Sequence, residues 1–180
     1  MLKFYPLNIA VSEATKRILL KKGIPESSIR VLYNCIDATE WRKDHQLTTI
    51  RKDFCIPDES LVIGTVGRIS EEKDLRTFLR VARRILNVYD NAFFFIVGDG
   101  FEQIVNGLKN YTSEIGLDGS VIFTGHRNDL KQFYSIFDLF ISTSLSEGLP
   151  NTILEAMSME VPIVATDVGE RAQVEHLAQS

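Results

Sequence analysis

Short apolar runs alternate with longer helical patterns from residue 61 to residue 166, and this alternation restricts the fold more than any other feature. The apolar runs, which predict strands, are LVIGTVGR (61–68), AFFFIVG (92–98), VIFTG (121–125), DLFIST (138–143) and VPIVAT (161–166). The segments between them, which predict helices, cover residues 74–89, 101–116, 128–136 and 150–159. Strands that are apolar along most of their length are typical of a parallel sheet covered on both faces. The sequence therefore predicts an α/β fold built on a doubly wound parallel sheet.

The first 40 residues follow a different pattern and have no room for a core of their own. The elements predicted there are two short strands, LNIAV (7–11) and SIRVLYN (28–34), and a helix with Ser12 as its N-cap that ends near Gly23. We expect residues 1–40 to be the tail of a preceding domain plus a connector, and residues 41–180 to form the main domain. A further helix is predicted near 46–54, and a partial helix over 169–180 predicts that the main domain is truncated at its C-terminal edge.

Composition and charge exclude several classes of function. The 180 residues carry a formal net charge of -4, which offers no basic surface for nucleic acid. Cys35 and Cys55 have neither the spacing of a metal site nor that of a disulfide framework, so we expect reduced thiols and a cytoplasmic protein. The sequence contains no apolar run long enough to cross a bilayer and no signal-peptide pattern.

Basic residues cluster near the start of the chain, at Lys16, Arg17, Lys21 and Lys22. Residues of this kind most often form the solvated face of a helix. Contact with an anionic membrane surface is the alternative. The sequence thus leaves a peripheral membrane association open beside a purely cytoplasmic location.

Two cations follow the first strand of the main domain. In an open parallel sheet, ligands bind beyond the carboxyl ends of the strands. Gly67, Arg68 and Lys73 share the loop that begins there. A guanidinium fork and an ammonium point charge together suit a diphosphate. The alternative is a pair of ordinary loop cations balanced by Glu71 and Glu72.

The stretch SEGLPNTILEAM, residues 146–157, holds two glutamates eight positions apart. Pro150 is favoured at the first position of a helix, which places Glu147 in a loop and Glu155 one to two turns inside the helix. A helix N-terminus attracts phosphate, and carboxylates beside it accept hydrogen bonds from sugar hydroxyls. The pattern therefore favours a nucleotide-sugar site. Two solvated surface charges are the alternative.

The glycines of VGDG, residues 97–100, do not fit a dinucleotide-cofactor site. The GxGxxG fingerprint requires a third glycine where this chain has Gln103, so we predict that Gly98 and Gly100 are turn glycines. His126 is predicted to be an ordinary loop histidine, and the sequence contains no triplet of acid, base and nucleophile. It also contains no cluster with metal-ligand spacing, so no metal site is predicted.

Taken together, these motifs resemble one enzyme family. GRISEEKD, VGDG, VIFTGHRNDL and above all SEGLPNTILEAMSMEVPIVATDVGE are similar to the nucleotide-sugar-binding half of retaining glycosyltransferases of family 4. The resemblance covers roughly residues 10–175, and AVSEATKRILLKKG with VLYNCID resembles the exit from the N-terminal domain of such enzymes. It implies a Rossmann-like domain that forms the C-terminal half of a GT-B fold, with the N-terminal acceptor domain mostly outside this chain.

The resemblance also implies a role for each site residue. Glu147 would contact the donor sugar, and Glu155 would hold the ribose hydroxyls of the nucleotide. Arg68 and Lys73 would neutralise the diphosphate leaving group, so the residues with implied catalytic roles are Glu147, Arg68 and Lys73. The implied donor-binding residues are Gly67, Arg127 through the backbone of its base-contacting loop, Gly148, Leu149 and Asn151 near the phosphates, and Glu155.

The implied reaction moves a sugar from a nucleotide diphosphate sugar to an acceptor hydroxyl with retention of the anomeric configuration. The donor is a substrate, and neither a separate cofactor nor a metal is implied. The acceptor is unknown and is expected to be a saccharide, a lipid-linked sugar or a small molecule. Two other functions stay open, a nucleotide-binding module without catalysis and a nucleotide-sugar epimerase.

Several positions depart from the pattern of the family. Cys35 stands where glycine is common, and Glu170 and Gln173 replace residues that bear on the identity of the sugar. Glu160 stands where a glycine is expected at the end of a helix. Because a glutamate is strained at positive φ, the sequence predicts that this helix ends in a different way.

Overall fold

The computed structural model describes residues 7–43 and 49–168. The chain folds as two compact units. The first unit consists of residues 1–36, 146–151 and 167–180, and the second consists of residues 37–145 and 152–166. The predicted helix over 169–180 and the beginning of the one near 46–54 lie outside the described residues. The predicted boundary between residues 40 and 41 stays a prediction.

The first unit is a small parallel β-α-β arrangement. Its elements are β1 (Asn8–Ala10), α1 (Glu13–Lys21), a 3-10 turn (Glu26–Ser28) and β2 (Ile29–Val31). β1 and β2 pair in parallel, and Ala10, Ile24 and Ile29 form a buried cluster between these elements. The hydroxyl oxygen of the buried Ser12 accepts a hydrogen bond of 3.0 Å from the backbone N–H of Thr15. The predicted N-cap is therefore confirmed.

The second unit is built on a five-stranded, fully parallel sheet. Its strands are β3 (Leu61–Val66), β4 (Ala92–Val97), β5 (Val121–Gly125), β6 (Leu139–Ser142) and β7 (Ile163–Ala165). They lie in the order β5-β4-β3-β6-β7. Each predicted strand is present, with ends that differ by at most two residues from the prediction. The doubly wound α/β fold is confirmed.

Helices precede and separate the strands of the second unit. They are α2 (Ile50–Asp53), α3 (Leu75–Leu86), α4 (Glu102–Glu114), α5 (Leu130–Ile136) and α6 (Asn151–Ser158). α6 begins one residue after Pro150, so the prediction that Pro150 is the first helical residue was wrong by one position. The fifth residue of α6 is Glu155, just over one turn inside the helix as predicted.

The alternation of side chains along β4 shows how both faces of the sheet are covered. Phe94 belongs to the buried cluster that α3 and α4 share, and its ring makes an edge contact with Phe78 at 6.3 Å. Phe95 contacts Phe54 at 5.3 Å and Phe133 at 5.8 Å, residues next to α2 and within α5. Successive residues of a strand point to opposite faces, so the two aromatic clusters lie on opposite sides of the sheet. Their burial accounts for the uniformly apolar strand sequences.

The end of α6 corrects one prediction. Glu160 has φ of +57°, its N–H donates to Met157 O at 3.0 Å, and the N–H of Val161 donates to Ala156 O at 2.9 Å. This pair of hydrogen bonds is a Schellman motif, which usually carries glycine at the left-handed position. α4 ends in the same way with Gly116, at φ of +67°. The helix thus keeps the glycine-type ending with a glutamate in place, and the prediction of a different ending was wrong.

Glu160→Gly is expected to raise the free energy of unfolding by about 1 kcal/mol, because glycine adopts the left-handed conformation without a steric penalty. Urea unfolding followed by circular dichroism measures the change. Glu160→Ala is the matched control, since it removes the same charge but keeps a Cβ atom at positive φ. Equal stabilisation by both substitutions would show that charge, rather than backbone strain, is responsible.

Candidate functional site

The sheet contains one topological switch point, between β3 and β6. The chain moves outward from β3 through β4 to β5, then crosses back to β6 on the other side of β3 and continues to β7. At such a point the connections leave in opposite directions and open a crevice beyond the carboxyl ends of the strands. A small pocket lies there, lined by Thr65, Val66, Gly67, Arg68, Lys73, Leu75, Ile96, Val97, Ser142, Thr143 and Ser144. The structure therefore brings the predicted Gly67, Arg68 and Lys73 together at the ligand-binding edge of the fold.

Lys73 is held at this pocket by the connection that follows β6. It ends a 3-10 turn, Glu71–Lys73, and its carbonyl oxygen accepts a hydrogen bond of 2.9 Å from the Thr143 hydroxyl. The N–H of Leu145 donates to Glu72 O at 2.8 Å. A methyl group added at Gly67 would lie 3.5 Å from Lys73 Cε, so the lysine side chain passes close over the glycine. Hydrogen bonds from the connection after β6 thus fix the backbone that carries Lys73.

The electrostatic surroundings of the two cations include one carboxylate. A hydrogen bond from Ser70 is the main cause that lowers the pKa of Glu72, and the positive charges of Arg68 and Lys73 lower it further. This proximity fits the alternative interpretation, in which the cations are loop charges balanced by glutamates. That alternative does not account for their position, because the cations line a pocket at the switch point.

The hydroxyl-rich wall of the pocket was not predicted from the sequence. Ser142 is the last residue of β6, Thr143 and Ser144 follow it, and all three are buried. The Ser142 and Ser144 hydroxyl oxygens lie 3.4 Å apart, and Ser144 O accepts a hydrogen bond of 2.6 Å from the Thr166 hydroxyl. The sequence feature that could have predicted this wall is the run of three hydroxyl-bearing residues at a strand end. Such groups are suited to contacts with phosphate oxygens.

Glu155 is a half-buried residue of α6 and not a fully solvated charge. The Tyr134 hydroxyl donates a hydrogen bond of 2.9 Å to Glu155 Oε2. Burial raises the pKa of the Glu155 carboxyl, and the hydrogen bond from Tyr134 acts in the opposite direction. The alternative of an ordinary surface glutamate therefore does not fit Glu155, and Tyr134 is a neighbour that the sequence did not indicate.

Residues 146–151, which are the loop before α6 and the first residue of that helix, belong to the first unit and carry four of the predicted residues. These are Glu147, Gly148, Leu149 and Asn151. A methyl group at Gly148 would lie 3.1 Å from Val11 Cγ2 and 3.4 Å from Thr15 Oγ1, so the loop packs tightly on the start of α1. Leu149 is buried, and its carbonyl oxygen accepts a hydrogen bond of 2.7 Å from Asn34 Nδ2. This loop is anchored within its own unit.

The side chain of Arg127 is engaged by its own loop. Its Nε and Nη2 atoms donate to the Asp129 carboxylate at 2.9 Å and 2.6 Å, and its guanidinium lies 5.2 Å from the Phe133 ring centre. The hydrogen bond from Arg127 lowers the pKa of Asp129. Arg127 does not line the switch-point pocket. A contact with a nucleotide base would therefore involve the loop backbone, as the resemblance implies.

Gly98 and Gly100, which the sequence predicted to be turn glycines, are required by the close packing of two backbone segments. Gly98 has φ of +139°, and a methyl group on it would overlap the carbonyl oxygen of Gly67. A methyl group on Gly100 would overlap the carbonyl oxygen of Ile69. Because glycine has no side chain, the backbones of the loops after β3 and β4 can lie in contact. This contact positions the loop that carries Arg68.

Two absences concern only the residues that the structure describes. Across 7–43 and 49–168, no three histidine, cysteine, aspartate or glutamate side chains are grouped closely enough to hold a metal ion. Within the same ranges, none of the helices combines the length and apolar character that crossing a bilayer requires. The predicted independence from metal stays a prediction.

Comparison with known proteins places the chain in a family. Residues 60–179 match the family model described as glycosyl transferases group 1, and this match covers about two thirds of the chain. The chain belongs to this glycosyltransferase family. A relative in Escherichia coli is the UDP-Gal:alpha-D-GlcNAc-diphosphoundecaprenol alpha-1,3-galactosyltransferase. It is 35% identical over 165 residues, which are 89% of this chain and 42% of the relative.

Solved structures of glycosyltransferases share the fold. HepE of Anabaena, crystallised with UDP-glucose, superposes with a TM-score of 0.87 at 25% identity, over 96% of this chain and 48% of HepE. The C-terminal domain of a group 1 glycosyltransferase from Francisella tularensis gives a TM-score of 0.66 at 25% identity, over 75% of this chain and 72% of that domain. The glycosyltransferase chain spans less than half of the length of HepE and of the Escherichia coli relative. It has the Rossmann-like architecture of the C-terminal half of a GT-B enzyme.

Proposed function

We propose that this chain is the donor-binding part of a retaining glycosyltransferase, which transfers a sugar from a nucleotide diphosphate sugar to an acceptor hydroxyl. The observation that carries the proposal is the pocket at the switch point, where Gly67, Arg68 and Lys73 meet a wall of hydroxyl groups. The UDP-glucose bound to HepE supports a nucleoside diphosphate as the ligand class.

The two cations are the main catalytic groups in this proposal. Breaking the bond between the anomeric carbon and the phosphate leaves negative charge on the departing diphosphate. Arg68 and Lys73, held in place before the reaction, stabilise that charge without reorganisation. Their charge serves the purpose for which other enzymes use a divalent metal, so we propose that the transfer is independent of metal.

The remaining roles follow the family pattern. Glu155 accepts hydrogen bonds from the ribose hydroxyls, and Glu147 contacts the donor sugar. The backbone near Arg127 contacts the base. The residues proposed to lie near the phosphates are Gly148 and Leu149 of the loop before α6 and Asn151, the first residue of that helix.

The reaction proposed here needs no nucleophile from the enzyme. The acceptor oxygen attacks the anomeric carbon from the same face as the leaving group, and the bond to the phosphate oxygen breaks. The acceptor proton passes to the departing diphosphate oxygen. The product keeps the anomeric configuration, and the by-product is the nucleoside diphosphate.

The acceptor and the cellular location are also part of the proposal. The Escherichia coli relative is named for a diphosphoundecaprenol-linked acceptor, which favours a lipid-linked sugar among the three acceptor classes. We propose a cytoplasmic protein with peripheral membrane contact through the exposed residues Lys21 and Lys22. Lys16 is excluded from that surface, because its ammonium group lies 2.8 Å from the Glu26 carboxylate.

Calorimetric titration of this chain with UDP tests the proposal. Arg68→Ala is expected to weaken UDP about tenfold, because it removes a charge-assisted contact with the diphosphate. The affinity of the parent chain is expected to fall as salt rises, and that of the variant to fall less.

Arg84→Ala is the matched control. Arg84 is an exposed arginine of α3 that does not line the switch-point pocket, and its replacement changes the net charge equally. Equal UDP affinities in the Arg68 and Arg84 variants would contradict the proposed contact between Arg68 and the diphosphate. A parent chain that binds none of UDP, GDP and ADP would overturn the donor-site proposal.

A further inference from the structure

Tyr134 lies fully buried in α5 with its hydroxyl directed at α6. The hydroxyl oxygen is 2.9 Å from Glu155 Oε2 and 3.2 Å from Thr152 O. A buried phenol normally keeps a hydrogen-bond partner, because an unsatisfied hydroxyl is costly. Its single proton has two acceptors here, and the charged one is nearer. The shorter bond to the carboxylate is therefore the main one.

The tyrosine ring is fixed by aromatic neighbours from three parts of the second unit. Ring centres of Trp41, Phe137 and Phe140 lie 5.9, 5.8 and 5.9 Å from it. Trp41 also contacts α6, since its carbonyl oxygen accepts a hydrogen bond of 2.5 Å from the Ser158 hydroxyl. Trp41 thus contacts α5 through its ring and α6 through its backbone carbonyl oxygen. The hydroxyl that meets Glu155 is attached to a ring with little freedom to move.

A glutamate on a helix normally has several rotamers. Ordering such a side chain when a ligand binds costs conformational entropy. A hydrogen bond to Oε2 fixes the carboxylate in advance. Ligand affinity is higher when the side chain is already ordered in the folded protein and does not have to be ordered on binding.

We propose that Tyr134 is a positioning residue that holds the Glu155 carboxylate in the orientation needed to accept hydrogen bonds from the ribose of the donor. The proposal rests on the ribose role of Glu155 given above. It assigns the tyrosine no contact with the ligand. Its effect reaches the ligand through Glu155 alone.

The electrostatics of the pair give this proposal a readout that packing does not affect. Burial raises the pKa of Glu155, and the Tyr134 hydroxyl favours the ionised carboxylate. Burial and Glu155 both raise the pKa of Tyr134, so the phenol keeps its proton and remains a donor. In the part of the chain that the structure describes, Tyr134 is the titratable group that faces Glu155. Lys131 of α5 lies instead over the Trp41 ring, at 5.6 Å.

The test compares UDP with inorganic pyrophosphate, which carries the charge of a diphosphate but no ribose. Tyr134→Phe removes the hydroxyl and keeps the ring. It is expected to weaken UDP about tenfold and to leave pyrophosphate binding unchanged. In a Glu155→Ala background, the same substitution is expected to have no further effect on UDP, because its effect passes through that carboxylate.

Phe140→Leu is the matched control, because it disturbs the packing around Tyr134 and leaves the hydrogen bond in place. It is expected to lower stability while the ratio of UDP to pyrophosphate affinity stays at the parent value. A Tyr134→Phe variant that binds both ligands like the parent overturns the proposal, and so does one that loses both equally. If the parent chain itself binds none of UDP, GDP and ADP, the result contradicts the proposed donor site as a whole and not only the role of Tyr134.

Carbon NMR of the carboxyl group supplies the second readout. In Tyr134→Phe the pKa of Glu155 is expected to rise further, so UDP affinity starts to fall at a higher pH than in the parent. If that variant does not fold, the Tyr134 Cζ resonance of the parent chain serves as the probe. It is expected to shift as Glu155 titrates and to lose this shift in Glu155→Ala. A Tyr134 resonance that does not respond to the titration of Glu155 overturns the proposal.

Discussion

Gly98→Ala is expected to lower the free energy of unfolding by at least about 3 kcal/mol, since it combines overpacking with backbone strain. The added methyl group overlaps the carbonyl oxygen of Gly67, which belongs to a backbone with little freedom to withdraw. Gly67 N–H donates to Val97 O at 2.9 Å, and Gly98 N–H donates to Gly125 O at 3.0 Å. Relieving the overlap breaks at least one of these bonds. The φ of +139° adds strain of its own, because this region is open essentially to glycine.

Gly107→Ala is the matched control for that experiment, and its expected effect has the opposite sign. Gly107 lies inside α4, and apart from the backbone of that helix and the two neighbouring residues, no described atom lies within 4 Å of the Cβ position built on it. Alanine in a helix interior is more favourable than glycine by about 1 kcal/mol, so this variant is expected to be more stable than the parent. Urea unfolding measures both changes. A loss below about 1 kcal/mol in Gly98→Ala would contradict the close backbone approach between the loops after β3 and β4.

The strands could be predicted because their signal is local. A run such as AFFFIV is apolar on both of its alternating faces, and the structure buries one face under α3 and α4 and the other under α2 and α5. Ser12 was recognisable as an N-cap for the same reason, since its partner is three residues away. The end of α6 was mispredicted although its signal is also local. The Schellman hydrogen bonds and burial of Val161 outweigh the strain at Glu160.

The neighbours that define the candidate site are far apart in the sequence, which is why they were not predicted. Tyr134 and Glu155 are 21 residues apart, and Thr143 meets the carbonyl oxygen of Lys73 across 70 residues. No periodicity links such positions. The sequence predicted which residues stand at strand ends, because that follows from the strand pattern. Which hydroxyl supports which charged residue depends on the strand order, and that order appears only in the folded sheet.

Glu155→Ala is expected to weaken UDP and UDP-glucose alike, by about 1.5 to 3 kcal/mol, because the ribose loses charge-assisted hydrogen bonds in both ligands. The fold is expected to tolerate this change. The Tyr134 hydroxyl keeps Thr152 O as an acceptor, at 3.2 Å, so no buried donor is left without a partner. Removing a half-buried carboxylate also relieves its desolvation, which is the main cause of its raised pKa. Calorimetry with both ligands measures the loss, after thermal unfolding has shown an unchanged midpoint.

Glu147→Gln serves as the contrast within the same stretch of sequence, since it keeps the shape of the side chain and removes its charge. If Glu147 acts on the sugar, this variant binds UDP like the parent chain and lowers turnover in the complete enzyme. If both glutamates were solvated surface charges, neither variant would show a loss in either assay. The half-burial of Glu155 already argues against this interpretation. Equal loss of UDP binding in both variants would place both carboxylates at the nucleotide. Parent-like binding and turnover in both would refute the separate roles of the two glutamates in SEGLPNTILEAM.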